Sequence, residues 1–407
     1  MTTITDVANR AGVAPVTVSR VINGAPNVNA ATRQRVEAAI AELGYVPNIV
    51  ARSLRSRRTR SLALILPDIT NTFWTTVARG VEDAAQDRGY TVILCNTDEN
   101  AAKQGSYLEL AASQRADGVI IAPCDGDPHR LQILRDRDIA TVVIDRRVDG
   151  WHVDSVTGDS FSGAHALTSH LIRLGHRRIV IISGPADTST AEDRVLGYSL
   201  ALADAGIPIM PELIQRGEFR AASGERLASE ILTKTPGMGE LTPRPTAIFA
   251  ANNAIALGVI DAVGRLGLRI PHDVALVCFD DFPNASHLFP FLTVVVQPAY
   301  EMGLHAAQLL LSRLEADVTL EPRHVMLPCR LIVRHSCGSH LAHSGAHALS
   351  LPLPGAVEEQ ASLVSPLREA DRERAQLSRH PQESGRAKGQ RHLPDAQQAI
   401  SSEESNA

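Results

Sequence analysis

The sequence predicts a small all-α head, an α/β body built as two doubly wound parallel-sheet subdomains, and a disordered C-terminal tail. Three observations predict it. The first 46 residues have helical periodicity and lead into an arginine-rich stretch; from Ser61 apolar runs of strand length alternate with amphipathic segments; after Ser336 periodicity gives way to Pro, Ser, Glu, Arg and Gln. A chain of 407 residues is long for one domain, and 44% apolar with 21% charged is ordinary globular composition. The expected boundaries are 1–46 for the head, 47–60 for a linker, 61–336 for the body and 337–407 for the tail.

The head reads as three helices. Thr5 can cap a first helix from Asp6 to about Arg10, with Val7 and Ala8 inward and Gly12 breaking it. Pro15 suits the first turn of a second, Val16 to Ile22, whose inward face is Val18, Val21 and Ile22. A third, Thr32 to Leu43, carries Val36, Ala39, Ile40 and Leu43 at helical spacing, and Gly44 closes it. Two short helices around a Gly-containing turn with a third in support make a helix-turn-helix.

Strands are expected at 61–67, 91–97, 117–123, 141–146, 178–184, 246–252, 274–281 and 293–298, most of them separated by 10 to 18 residues of helical period. That alternation implies parallel sheets covered by helices. Eight strands divide naturally into two sheets, with a ligand cleft at the carboxyl ends of the strands.

Charge separates the parts. Residues 1–61 hold nine arginines and three acids, a net +6; because the whole chain is −5, the remainder is −11. A basic head on an acidic body points to nucleic acid bound by the head. Within 47–61, PNIVARSLRSRRTRS, five arginines stand without an acid, and Ile49, Val50 and Leu54 are too few for a core.

Other chemistries find no support. The pattern GxSxG, a P-loop, HExxH and a strand followed by GxGxxG are all absent, so neither a catalytic group nor a cofactor is expected. Cys95, Cys124, Cys278, Cys329 and Cys337 show no CxxC spacing and read as small buried hydrophobes. His335, Cys337, His340, His343 and His347 cluster locally, but glycines interrupt their helical spacing, and no metal site is expected. The N-terminus lacks a basic region leading into an apolar run, and no window reaches the ~18 apolar residues of a membrane span, so a cytoplasmic protein is expected.

At TITDVANRAGVAPVTVSRVING the chain resembles the lactose/galactose repressor family of bacterial transcription regulators. The resemblance continues through ATRQRVEAAIAELGYVPNIVARSLRSRRT, LILPDITNTFW, GDSFSGAHALTSHLIRLGHRRI, AANNAIALGVIDAVGRLGLRIPHDVALVCFDD and TVVVQP, covering about residues 3 to 336. It implies a sensor body like periplasmic sugar-binding proteins, and it implies that PNIVARSLRS is a hinge helix that pairs with its copy and enters the DNA minor groove. Physics agrees with a conditional helix: about nine residues is below the ~12 to 15 that are marginal alone, and Arg52 and Arg55 repel at i,i+3 until phosphates screen them. Leu54 is then placed as a wedge between base steps, with Asn48, Ala51, Arg52 and Arg55 around it at the DNA.

By the same resemblance Pro15, Val16 and Arg20 occupy base-reading positions, Arg20 being able to pair two-pronged with guanine. Thr17, Ser19 and Asn23 suit phosphate or backbone contacts that set register. Position 14, often a capping Ser in the family, is Ala here. The implied effector set is Phe73, Trp74, Arg146, Thr190, Arg194, Phe219, Asn253 and Asp280. Aromatic faces suit the apolar side of a sugar ring, while carboxylate, amide and guanidinium groups suit hydroxyls. The family commonly has Asp where this chain has Asn253 and Pro where it has Thr72.

The expected function is a homodimeric repressor on a near-palindromic operator, controlled by a carbohydrate, with a nucleobase or nucleoside as the second choice of effector. A non-exported sugar-binding protein is the rival of another class, and the basic head argues against it. The tail lacks the leucine heptads of a helical bundle, so no tetramer is expected.

Overall fold

In a computed structural model of the chain, residues 2–45, 58–233, 244–282, 291–316, 318 and 320–343 are described. The head contains α1 (Ile4–Ala11), α2 (Pro15–Ile22) and α3 (Ala30–Leu43). Thr3, not Thr5, caps α1: its hydroxyl accepts from Asp6 N at 3.3 Å, and the Asp6 carboxylate accepts from Thr3 N at 2.8 Å. This reciprocal box satisfies two donors and starts the helix earlier than periodicity alone suggested. Asn29 similarly starts α3 two residues ahead of Thr32, accepting from Thr32 N at 2.8 Å. Val7, Ala8, Ala11, Val18, Val21, Val36 and Ala39 form the head core, with Ile22 at its margin.

The body has two six-stranded sheets. Lobe 1 holds β1 (Ser61–Leu66), β2 (Thr91–Asn96), β3 (Gly118–Ile121), β4 (Ala140–Ile144), β5 (Asp154–Gly158) and β11 (His324–Leu327), all parallel, in the order β11-β5-β4-β3-β1-β2. Lobe 2 holds β6 (Ile179–Ser183), β7 (Ile214–Arg216), β8 (Ala247–Ala250), β9 (Ala275–Phe279), β10 (Thr293–Val296) and β12 (Arg330–Ile332), in the order β12-β10-β9-β8-β6-β7 with only the β10/β12 pair antiparallel. Strands covered on both faces need continuous apolar runs, and the centres of both sheets, such as Gly118–Ile121 and Ala275–Phe279, are wholly buried.

All eight expected strands are present. Four others were not expected. β5 is DSVTG, alternately buried and half-buried; β7 is three residues long; β11 and β12 are half-exposed edge strands.

Around the sheets lie α4 (Thr72–Asp87), α5 (Ala101–Ser113), α6 (Gln132–Asp136), α7 (Ser160–Arg173), α8 (Ser189–Asp204), α9 (Ala221–Thr233), α10 (Asn253–Arg265), α11 (Ala299–Glu315) and α12 (Ser339–His343). The chain passes between lobes after Gly158, after Gln297 and between β11 and β12, so α11 follows a lobe 2 strand yet packs on α4 of lobe 1. That crossing is close because Gly80 faces the Tyr300 carbonyl and Gly303 faces that of Val77; Gly224 and Gly258 serve α9 and α10 in the same way. Ordered packing continues past Ser336, since Cys337 is fully buried in the lobe 2 core and α12 follows it. Residues 344–407, the rest of the expected tail, lie outside the described residues. Among the described residues no helix is long and apolar enough to cross a membrane.

Candidate functional site

On the head, α2 divides by face. Val18 and Val21 are buried, while Pro15, Val16, Arg20 and Asn23 are exposed and Thr17 and Ser19 half-buried. Val16, Arg20 and Asn23 recur at i, i+4 and i+7 on the outer face, and Val16 is 55% exposed, an apolar side chain offered to solvent. Ala14 provides no side-chain cap, and Pro15 at the first helical position needs none for its own nitrogen. The Asn23 amide folds back, Nδ2 donating to Ser19 O at 2.8 Å, so it also closes the helix. Asn48, Ala51, Arg52, Leu54 and Arg55 lie outside the described residues.

Between the lobes a cleft is lined by groups from strand ends and first helical turns of both sheets. Asn71 caps α4 and presents Phe73 and Trp74 in its first turn, their rings edge to face at 4.8 Å. Thr190 and Arg194 stand four residues apart on α8, each 3% exposed. The Arg194 guanidinium lies 3.9 Å over the Phe279 ring and donates from Nη1 to Ala251 O at 2.7 Å. Phe219 reaches the cleft because Gly184 leaves room for its ring where a Cβ would collide.

Asp280 follows β9 with φ 69 and donates its N–H to Val295 O at 2.8 Å. Asp145 follows β4 with φ 66 and donates to Val156 O at 2.8 Å, the same construction in the other lobe. The two acids are therefore structural counterparts. Burial raises both carboxyls: Asp280 reaches about 6 although Arg194 and a hydrogen bond from Gln297 oppose the rise, and Asp145 is raised against the pull of Arg194 and Arg146.

Two expected residues behave differently from a free effector contact. Arg146 is held within lobe 1 by Glu99, with Nη1 and Nη2 donating to its carboxylate at 2.8 and 2.5 Å, and by Pro123 O at 2.8 Å. Among the described residues its Nε finds no partner in the cleft wall. Asn253 does not line the cleft: its amide meets Asn71 and the Asp281 carbonyl, while its neighbour Asn252 caps α10 and lines the cleft. The remaining expected residues, Phe73, Trp74, Thr190, Arg194, Phe219 and Asp280, converge there.

The sequence reading missed Asp145, Asn252 and Gln297. A signal existed for Asp145: it ends the apolar run TVVID as Asp280 ends VALVCFD. Gln297 carried none, since its role depends on a crossover between lobes.

Among the described side chains, which exclude that of His343, the histidine cluster does not converge. Cys337 turns inward to His170, while the rings of His335 and His340 meet edge to face at 5.4 Å. His347 lies outside the described residues, and among those described no group of three or more His, Cys, Asp or Glu could hold a metal ion.

Comparison with known proteins matches residues 3–48 to the model of bacterial regulatory proteins of the lacI family, and residues 168–337 to the periplasmic binding protein-like domain. The HTH-type transcriptional repressor PurR of Aliivibrio fischeri is 36% identical over 337 residues, 83% of this chain and 98% of that protein. A solved complex of the transcriptional regulator CelR with cellobiose is 34% identical with TM-score 0.62, covering 83% of this chain and all of that one. The lac repressor dimer bound to operator and the anti-inducer ONPF is 27% identical with TM-score 0.71, covering 83% and 99%. With a helix-turn-helix head, a two-lobed body and relatives matched over nearly their whole length, the chain belongs to the lacI family of bacterial regulatory proteins and is a DNA-binding transcriptional regulator.

Proposed function

We propose that this protein is a homodimeric repressor that reads a near-palindromic operator with two copies of its head and answers to a carbohydrate-class effector held between the lobes. The observation that carries the effector class is the set of buried polar atoms in the cleft wall that find no partner among the described residues: Asp145 Oδ1, Arg146 Nε, Arg194 Nε and Gln297 Oε1. Leaving such atoms unpaired costs about 1–3 kcal/mol each. A hydroxyl both donates and accepts, so one polyol can satisfy carboxylate and amide oxygens together with guanidinium N–H groups. Phe73, Trp74 and Phe219 supply the apolar faces that a sugar ring also needs. The likeness to a regulator solved with cellobiose supports the same class.

A nucleobase or nucleoside is the second reading, favoured by those same three rings, which offer faces to a flat base, and by the likeness to PurR. A thermal-shift screen of the full chain against sugars, polyols, nucleobases and nucleosides separates the two. A true effector at about 100 times its dissociation constant adds ~2.7 kcal/mol to stability. Stabilisation by bases alone overturns the carbohydrate reading; repeating operator binding with the hit then tells release from promotion.

A further inference from the structure

The two lobes are joined at the edge of the cleft by a side-chain pair, Asn71 of its lining and Asn253 behind it, that the effector reading does not use. Asn71 Nδ2 donates to Asn253 Oδ1 at 2.7 Å, and Asn253 Nδ2 donates back to Asn71 Oδ1 at 3.0 Å. Asn71 is the cap of α4 in lobe 1; Asn253 is the first residue of α10 in lobe 2 and is 2% exposed. The direction of both bonds is set by backbone partners. Asn71 Oδ1 accepts from Phe73 N at 3.0 Å, which turns its amide nitrogen toward Asn253; Asn253 Nδ2 has the Asp281 carbonyl at 3.4 Å, which turns its oxygen toward Asn71.

Elsewhere the lobes also meet through a backbone bond from Gly126 N to Asp187 O at 3.1 Å, through Arg147 N donating to Ser189 Oγ at 2.8 Å, and through the Arg146 guanidinium 5.9 Å over the Phe219 ring. Arg220 Nη2 donates to Asp98 O at 2.7 Å, and Arg147 pairs with Asp193. Solvent screens these last two, whose arginines are half-exposed. The asparagine pair is the reciprocal one, with Asn253 buried and Asn71 half-buried, and it adjoins the aromatic turn of the cleft.

We propose that Asn71 and Asn253 form a latch that holds the lobes closed, so that entry to and exit from the cleft require this pair to part. Parting exposes both amides to water, which replaces the lost bonds, so the latch is reversible. Its meaning for effector traffic rests on the effector reading; the latch itself does not.

Trp74 supplies a native reporter, being 6% exposed, a lining residue of the cleft and three residues from Asn71. The other tryptophan, Trp151, is removed as Trp151→Phe. In that background the full chain is compared with Asn71→Asp, Asn253→Asp and the double variant, without ligand. Aspartate caps α4 as well as asparagine does, and a carboxylate in the first turn of α10 suits its dipole, so both helices are kept. Each single variant leaves one amide donor facing a carboxylate; the double leaves two carboxylates and no donor.

Acrylamide quenching of Trp74 is expected to change little in the singles and to rise about two- to threefold in the double as the open population grows. Far-UV circular dichroism should be unaltered. A double variant quenched no more than the sum of the singles overturns the latch. If the double does not fold, Asn253→Ala, which deletes both bonds without adding charge, is read the same way, and unchanged quenching there overturns it. A blank effector screen leaves this measurement untouched, because Trp74 reports closure with no ligand present.

Discussion

Gln297 Nε2 donates to Asp280 Oδ1 at 2.9 Å, joining the residue at a crossover between lobes to the acid that follows β9. The Asp280 carboxyl is raised from 3.8 to about 6, first by burial, with Arg194 and Gln297 opposing. A raised acid disfavours the folded state once the unfolded carboxyl ionises, so stability is lost as pH rises from 3.8 through about 6 and stays lost above. Asp280→Asn should therefore stabilise the ligand-free protein near pH 7.5 by about 1–3 kcal/mol, and the gain should vanish below the unfolded value. Asparagine tolerates the left-handed backbone at this position. Thermal melts across pH check this, and effector affinity should fall in the same variant, the trade expected where a site is built at the expense of stability.

Arg20 projects from the exposed face of α2. Arg20→Ala, titrated by fluorescence anisotropy on an operator selected from randomised duplexes, should weaken binding by about 1–3 kcal/mol and relax preference at one base pair. Uniform weakening on all sequences, with the salt slope lowered by about 1, would reassign it to a phosphate.

Two glycines of α10 should behave oppositely. A Cβ on Gly258 meets Ala221 O and Glu225 N of α9, whereas one on Gly264 meets nothing within 4 Å. Gly258→Ala should cost about 1–3 kcal/mol through forced separation of the helices. Gly264→Ala should be neutral or stabilising by up to ~1 kcal/mol. Urea midpoints at constant slope decide.

Cys337 Sγ lies 3.2 Å from His170 Nε2 in the lobe 2 core. Burial alone would raise the thiol, but hydrogen bonds from His170, Thr293 and Ser339 bring it down to about 7 from 9. The thiolate then adds stability that is complete above 9 and is lost as pH falls through about 7. Cys337→Ser keeps a hydrogen-bonding atom but does not ionise there. The wild-type stability advantage, read from thermal melts, should grow between these two pH values, reaching at most about 2–3 kcal/mol; a constant difference would remove the thiolate.

Much of the architecture was legible in the order of residues. The helices of the head and the eight apolar strands show themselves because helical and strand periods are local, and because, the half-exposed edge strand β2 apart, strands covered on both faces must be apolar throughout. Most of the cleft was legible too, through the resemblance that placed Phe73, Trp74, Thr190, Arg194, Phe219 and Asp280 together. What only the tertiary structure decided involves partners far apart in the chain. β5, β7, β11 and β12 are short or half-exposed and take their form from the strand beside them. Glu99 holds Arg146, and Asn253 meets Asn71 across 182 positions. Gln297 reaches Asp280 only because the chain turns back between lobes there. Local sequence sets what a segment can become; which polar group it faces after two sheets have closed on each other is set by long-range packing, where each buried donor must find an acceptor.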